Sequence, residues 1–438
     1  MLQAVKDVFK VKDLRKRLLF TFFMLVVVRI GSQLPVPNVN PDVFKELFTG
    51  DGMNFFDAIT GGSFEKMSVF ALNITPYITS SIIMQLLTIA FPKLEELNRD
   101  QDGRKVIIQI TRYVTVGLAL MESLAMAIGF KRSGYLTNVE TTGQTVLAII
   151  VIVAVLTAGS AVLMWIGERI TERGVGNGIS IVLVINIVSR IPADLTTLYN
   201  QFVKGKSIPR GVLAAVIIIL IICAVVALVV YLQNAERRIP VQYSQKMQGR
   251  RLAGGAGSHI PLKVNTGGVI PVIFAQSILQ TPVIIASLIG KSGGTTFWGK
   301  VLRGMSQSNW FKPDEWIYTI GAVVYVVLII LFAYFYTAIT FNPLEIADNM
   351  KKRGGFIPGI RPGKPTSDYL QNILNYIVFI GAVGLSIVSL LPIVFNGLFS
   401  AGVSFGGTSI IIVVGVIIET LKQIESQMMV RNYKGFLD

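Results

Sequence analysis

Seven side chains in this 438-residue chain are the first places to look for chemistry: Arg29, Arg112, Glu122, Glu168 and Glu419, which interrupt apolar stretches, and the single His259 and single Cys223. Ionisable groups among apolar residues suit ion-coupled carriers and proton relays, whose paths need groups that gain and lose charge. All but Glu122, however, fall near the ends of their apolar runs, where long side chains reach lipid headgroups. His259 lies between runs. The sequence holds no carboxylate pair, HExxH or Ser-His-Asp set, so nothing in it recommends an enzyme. With one thiol, disulfides and cysteine-metal sites are excluded, and Cys223 is expected to be a buried small hydrophobe. "GGTTFWGKV" approaches a phosphate loop through Gly294, Gly299 and Lys300, but Val301 stands where Ser or Thr should hold magnesium. "GVGNGIS" (Gly174 to Ser180) reads as a tight turn that starts the next helix abruptly. Neither cofactor nor metal is expected.

The elements that position these residues follow from composition. With 52% hydrophobic and only 15% charged residues, the chain has more apolar surface than one soluble core needs. Runs of about 20 residues, enough to cross a bilayer as helices, occur near 18–34, 68–91, 106–130, 145–167, 178–196, 212–233, 268–290, 316–340, 370–394 and 404–424. The expected fold is therefore all-α and integral to a membrane, with ten transmembrane helices and both ends on one side. Of 40 Lys and Arg, 27 fall in the compartment of the N-terminus and 12 in the opposite one, with Arg29 inside the first span. The positive-inside rule puts both termini in the cytoplasm. The net charge of +15 is then explained by loops facing anionic lipids, without nucleic acid. The first span lacks a small-residue cleavage site and reads as a retained helix.

The second run, "SVFALNITPYITSSIIMQLLTIAF", carries Asn73 and Pro76 at its middle. Proline has no N–H for the helix ladder and its ring opposes the preceding turn, so a break is expected near Asn73. Before it, "NFFDAITGGSFEKMS" is too short to span, yet Phe55, Phe56, Ile59 and Phe64 are apolar for a solvated loop. It is either a short helix tucked into a cavity or a plain surface turn. At an offset of 195 residues, "PYITSSIIMQ" lies over "PVIFAQSILQ", matching Pro76 with Pro271, Ile78 with Ile273, Ile83 with Ile278 and Gln85 with Gln280. Each opens the second span of a five-span half, and the halves run in opposite senses. That is an inverted repeat, with its conduit or site at mid-membrane. The domains implied are 1–200 and 201–438. Facing residues there are aliphatic or hydroxylic: Ile74, Ile78, Thr79, Ser80 and Ser81 against Ile273, Gln276 and Ser277. Branched aliphatics at a constriction exclude water and ions by dewetting; alternatively they only pack helix on helix. An ion-coupled secondary transporter with a mid-membrane site is the rival reading.

Two loops on the basic side have structure of their own. In 234–267, Ile239, Val241 and Tyr243, then Ile260, Leu262 and Val264, alternate with polar residues, the period of half-buried strands. A hairpin tipped by Lys246, Arg250 and Arg251 is expected. In 341–369, "RGGFIPGIRPGKPT" is stiffened by its prolines, and Arg361 offers a fork for carboxylate, phosphate or carbonyl oxygens. Such projecting cationic loops suit a bulky cytoplasmic partner.

"GGSFEKMSVFALNITPYITSSIIMQLL", "GERITERGVGNGISI", "GRRLAGGAGSHIPLKVNTGGVIPVIFAQSI", "FNPLEIADNMKKRGGFIPGIRPGKPT" and "FGGTSIIIVVGVIIE" occur in this order along essentially the whole chain. They resemble the SecY family, channel subunits of the bacterial Sec translocon. The resemblance implies a clamshell of two pseudo-symmetric inverted five-helix halves, with a short plug helix and a cytoplasmic β-hairpin, passing unfolded polypeptides across the cytoplasmic membrane and apolar segments sideways into lipid. Carried over by position, it implies a pore ring of Ile74, Ile78, Ile179, Leu183, Ile273 and Ile412. A plug falls at about 55–67, including Phe55, Phe56, Ile59 and Phe64. A lateral gate between spans two and three and spans seven and eight takes in Ser80, Ser81, Gln85, Gln276, Ser277 and Thr281, the last aromatic in some relatives. Lys246, Arg250, Arg251 and Arg361 match the docking surface for the ribosome or the SecA motor ATPase. Implied partners are SecE-like and SecG-like small membrane subunits, SecA, the ribosome, signal sequences and the translocating chain, and anionic lipids, with no nucleic acid except through the ribosome.

Overall fold

The structure is a computed structural model that describes residues 11–40, 60–137, 141–204, 208–243, 246–248, 251–253, 258–288, 297–313, 315–399 and 407–434. Inside a bilayer a helix closes its own backbone hydrogen bonds, and each of the ten apolar runs carries one. In chain order these are α1 (Lys12–Gly31), α2 (Thr75–Ala90), α4 (Gln101–Ser133), α5 (Thr142–Arg173), α6 (Gly178–Leu198), α7 (Ile208–Asn234), α8 (Ile270–Leu288), α10 (Ile320–Thr340), α12 (Lys364–Phe399) and α13 (Gly407–Lys434). Shorter helices are α3 (Pro92–Arg99), α9 (Phe297–Met305) and α11 (Pro343–Lys352).

Among the described residues, six helices are long and apolar enough to cross a membrane, or seven if the bent pair α2 and α3, 111° apart, is one span. Helix α1 opens on the charged "KDLRKR", and α8 stays apolar to its end at Leu288 but has only 19 residues. Helix α13 continues into the polar "ETLKQIESQ". Helix α2 starts only at Thr75, because Asn73 takes a left-handed φ of 52° and Pro76 occupies the first turn. The break expected near Asn73 is therefore present.

Packing falls into two groups. Helix α5 touches α1, α4 and α6, and α4 holds α2; α12 touches α7, α10, α11 and α13, and α10 holds α8. The groups meet where α13 lies on α6 and α8 on α4. Their cores are separate: Leu163, Ile166, Ile170 and Val182 on one side, Val229, Val272, Ile329, Leu385 and Val388 on the other. Large apolar side chains such as Phe22, Ile150, Leu220, Val323 and Tyr376 are exposed, as a lipid-facing surface requires. Cys223 corrects its expectation: it is exposed, not buried. Helix α7 is apolar around its circumference, so a thiol meets no more polar surroundings on its outer face than on its inner one.

Glycines fix the closest approaches. A β-carbon at Gly178 would land on the Gly167 carbonyl oxygen, and one at Gly159 on that of Val69. Between them, Gly176 has a φ of 77° and Asn177 caps α6, its side chain accepting from the Ile179 and Ser180 amides. The turn expected from "GVGNGIS" is thus a capped junction of α5 and α6.

The two basic loops form one body. Strand β1 (Glu236–Tyr243) pairs antiparallel with β4 (Ser258–Lys263) on one edge and with β5 (Gly355–Phe356), from the other loop, on the opposite edge. Strands β2 (Lys246–Gln248) and β3 (Arg251–Ala253) extend the hairpin. Ile239, Val241 and Leu262 are buried against Met350, Ile357, Leu370 and Ile377, so the sheet sits on α11 and the start of α12.

Backbone cannot yield to a new methyl as a side-chain tip can. Gly178→Ala and Gly159→Ala should each cost about 1–3 kcal/mol, read as a lower unfolding temperature of the purified protein. Gly117→Ala, with open space around its β-carbon, should leave that temperature unchanged.

Candidate functional site

The site begins with chain that is not helical. Residues 61–74 form turns, yet Gly61, Gly62, Ser63, Met67, Ser68 and Phe70 to Ile74 are buried except at a few positions between them. Backbone of this kind is tolerated at membrane depth only when protein supplies its partners, and here the extended chain after α1 and two helices supply them. After α1, the Leu34 carbonyl accepts from the Val69 amide at 2.9 Å and the Val36 amide donates to the Met67 carbonyl at 2.8 Å. From α5, Ser160 Oγ donates to the Asn73 carbonyl at 3.2 Å. From α6, Asn186 Nδ2 donates to Asn73 Oδ1 at 3.1 Å, and Arg190 pairs with Glu65 at 2.8 Å.

Directly after this segment the aliphatic residues converge. Ile74 is fully buried in a cluster that Ile78 and Ile179 join. Ile78 also belongs to a second cluster, with Leu183, Ile187 and Ile412 buried and Ile273 packed against them. The six expected ring positions thus lie in two apolar clusters joined through Ile78, drawn from α2, α6, α8 and α13. Sequence reasoning missed Ile187 and Val269, which share the second cluster. Ile187 could have been found, since it lies four residues beyond Leu183 on the same helical face.

The expected gate residues divide. Ser80 is buried and donates to the Thr111 carbonyl at 2.7 Å, tying α2 to α4. Gln276 is buried as well, its Nε2 donating to Gln307 Oε1 at 3.1 Å. That contact exists because the α9 to α10 connection folds inward, with Trp310 fully buried and its Nε1 donating to the Gly304 carbonyl at 2.7 Å. Ser81 is half-buried, while Gln85, Ser277 and Thr281 are exposed. Thr281 turns back on its own helix, donating to the Ser277 carbonyl at 2.6 Å.

Of the plug residues, Phe55, Phe56 and Ile59 lie outside the described residues; Phe64 packs against the cluster of Met67, Leu72 and Phe130. Of the docking residues, Lys246 and Arg251 lie in the paired strands β2 and β3, Arg250 lies outside the described residues, and Arg361 is exposed. The Arg361 loop is pinned on both sides: Ile357 and Ile360 join the core under the sheet, and Thr366 Oγ1 donates to the Arg361 carbonyl at 2.8 Å. Three ionisable residues of the spans also find protein partners. Arg112 and Glu168 pair at 2.8 Å between α4 and α5, and Arg29 Nη1 reaches the Gly61 carbonyl at 3.5 Å. For these three, protein contacts stand where headgroup contact was expected. No group of three or more metal-ligating side chains occurs among the described residues.

Aliphatic side chains from separate helices thus meet beside irregular buried chain, with no metal-ligating cluster among the described residues. The SecY family model matches residues 68–421. The chain is similar to the protein translocase subunit SecY of Streptomyces galbus, 44% identical over 451 residues with all of both chains covered. It is also similar to that of Halalkalibacterium halodurans, 40% identical over 445 residues with the same full coverage. Among solved structures it is similar to one described as a protein conducting channel, at a TM-score of 0.65 and 17% identity over 94% of this chain and 92% of the other. Canine Sec61 in a ribosome-channel complex from the endoplasmic reticulum gives a TM-score of 0.61 with the same identity and coverage. The chain belongs to the SecY family.

Proposed function

We propose that this chain is the protein-conducting subunit of a bacterial translocase in the cytoplasmic membrane, with both termini in the cytoplasm. It passes unfolded secretory polypeptides across the membrane and releases apolar segments sideways into lipid. The observation that carries the reading is the meeting of Ile74, Ile78, Ile179, Leu183, Ile273 and Ile412 in joined apolar clusters. Side chains of this kind seal against water and ions yet make no specific contact with whatever parts them, which suits a passenger of any sequence. Full-length relatives named protein translocase subunit SecY support it. The ion-coupled carrier has no observation in its favour.

In this reading the chain performs no covalent chemistry. The segment at about 55–67, with Phe55, Phe56, Ile59 and Phe64, is the plug. Ser80, Ser81, Gln85, Gln276, Ser277 and Thr281 flank the seam where α4 meets α8. A signal sequence opens the seam only as far as its preference for the open state allows. Small SecE-like and SecG-like membrane subunits cover part of the lipid-facing surface. Lys246, Arg250, Arg251 and Arg361 receive the ribosome or SecA; a ribosome-bound relative supports the first of these.

Replacing both Ile273 and Ile412 with asparagine should wet the constriction, raise ion conductance of the resting channel and admit weak signal sequences. Conductance and signal selectivity equal to wild type would overturn the assignment. Cysteines at Ile78 and Ile273 should crosslink to a secretory chain arrested in transit. Arg361→Glu should abolish stimulation of SecA while membrane insertion and folding stay intact; normal SecA binding and stimulation by the purified variant would remove the docking role.

A further inference from the structure

We propose that Asn73 and Asn186 form a positioning pair that sets how firmly the apolar seal stays shut, and so how apolar a signal sequence must be to open it. The proposal rests on the channel reading above and adds residues that the ring, plug and gate do not include.

Asn73 immediately precedes ring position Ile74, in a left-handed conformation with φ of 52°, which asparagine tolerates better than other side-chain-bearing residues. Asn186 lies on α6, three residues beyond Leu183 and one before Ile187, both buried in the second cluster. Both asparagines are buried. The Asn186 amide donates to Asn73 Oδ1 at 3.1 Å, and Ser160 Oγ on α5 donates to the Asn73 carbonyl at 3.2 Å. The point where turn becomes helix is therefore held from α5 and α6 at once. On α6 the segment lies close: a β-carbon at Gly61 would come within 2.6 Å of the Asn186 carbonyl oxygen.

Chemistry makes this contact releasable. Packing of aliphatic side chains against the segment would hold it by area alone, and that area returns to water only at a cost. An amide pair exchanges the hydrogen bond between its members for water when the segment moves aside. Asn186 Oδ1, buried without a partner among the described residues, gains one on opening. The pair thus registers Ile74 and Ile78 against Leu183 while leaving the closed state only moderately favoured.

The test uses the assembled translocase in proteoliposomes, with Asn73→Gly, which keeps the left-handed backbone and removes the amide, Asn186→Ala, and the double variant. Asn186→Ser replaces Asn186→Ala in case that variant does not assemble. Export of a precursor with a shortened signal core is measured against one with an intact signal, alongside ion conductance of the resting channel. Each single variant should raise the weak-to-intact export ratio about five-fold, the scale of one hydrogen bond, with intact-signal export unchanged. The double variant should rise no further than either single, because both remove the same contact. Single variants at the wild-type ratio, or effects that multiply in the double, overturn the proposal. Ile412→Asn in the same vesicles separates the two readings. If it leaks while the asparagine variants match wild type, the pair falls and the channel stands; if it too matches wild type, both fall.

Discussion

Backbone that leaves the helix inside a bilayer must find its hydrogen bonds in protein, and most of this architecture around the site follows from that requirement. Residues 61–74 have no helix to satisfy them, so the chain after α1, the middle of α5 and the face of α6 are brought within hydrogen-bond reach. The close packing that results leaves no room for a side chain at Gly159, whose β-carbon would meet Val69. The same closeness sets the start of α2, and with it the placing of Ile74 and Ile78 in their apolar clusters.

Two materials meet at this point. Residues 61–74 rest on amides, hydroxyls and an ion pair between Glu65 and Arg190; around Ile78, Leu183, Ile273 and Ile412 aliphatic side chains pack together. The polar bed can exchange partners with water, whereas the aliphatic layer excludes it. In the proposed channel such a layer would exclude water and ions by dewetting, without strong contacts, and parting it would need no chemical change.

Much of this was legible in the sequence. Ten apolar runs became ten helices because run length in a bilayer leaves few alternatives, and the break at Asn73 and Pro76 was readable because proline's missing N–H acts locally. The strands Glu236–Tyr243 and Ser258–Lys263 were visible from their alternation. What stayed hidden were contacts between distant residues. The two-residue strand Gly355–Phe356 carries no periodicity, so its pairing with Gln242 and Tyr243 could not be foreseen. The Arg112 to Glu168 pair joins residues 56 apart in sequence, each of which alone looked like a span end reaching for headgroups. The inward fold that brings Gln307 to Gln276 depends on burial of Trp310, in a stretch that reads only as a loop. Cys223 was misjudged because a helix apolar on all sides gives one residue no direction.

Joining the two basic loops through β5 has a mechanical consequence. Arg361 stands three residues before α12, a helix that runs unbroken by proline from Pro365 to Pro392 and then on to Phe399. The sheet and α11 buttress its base. Force on that sheet would be carried along the helix past Leu385 and Val388, in the core of the second group of helices, instead of being lost as bending of a loop. Sheet and rod are one piece.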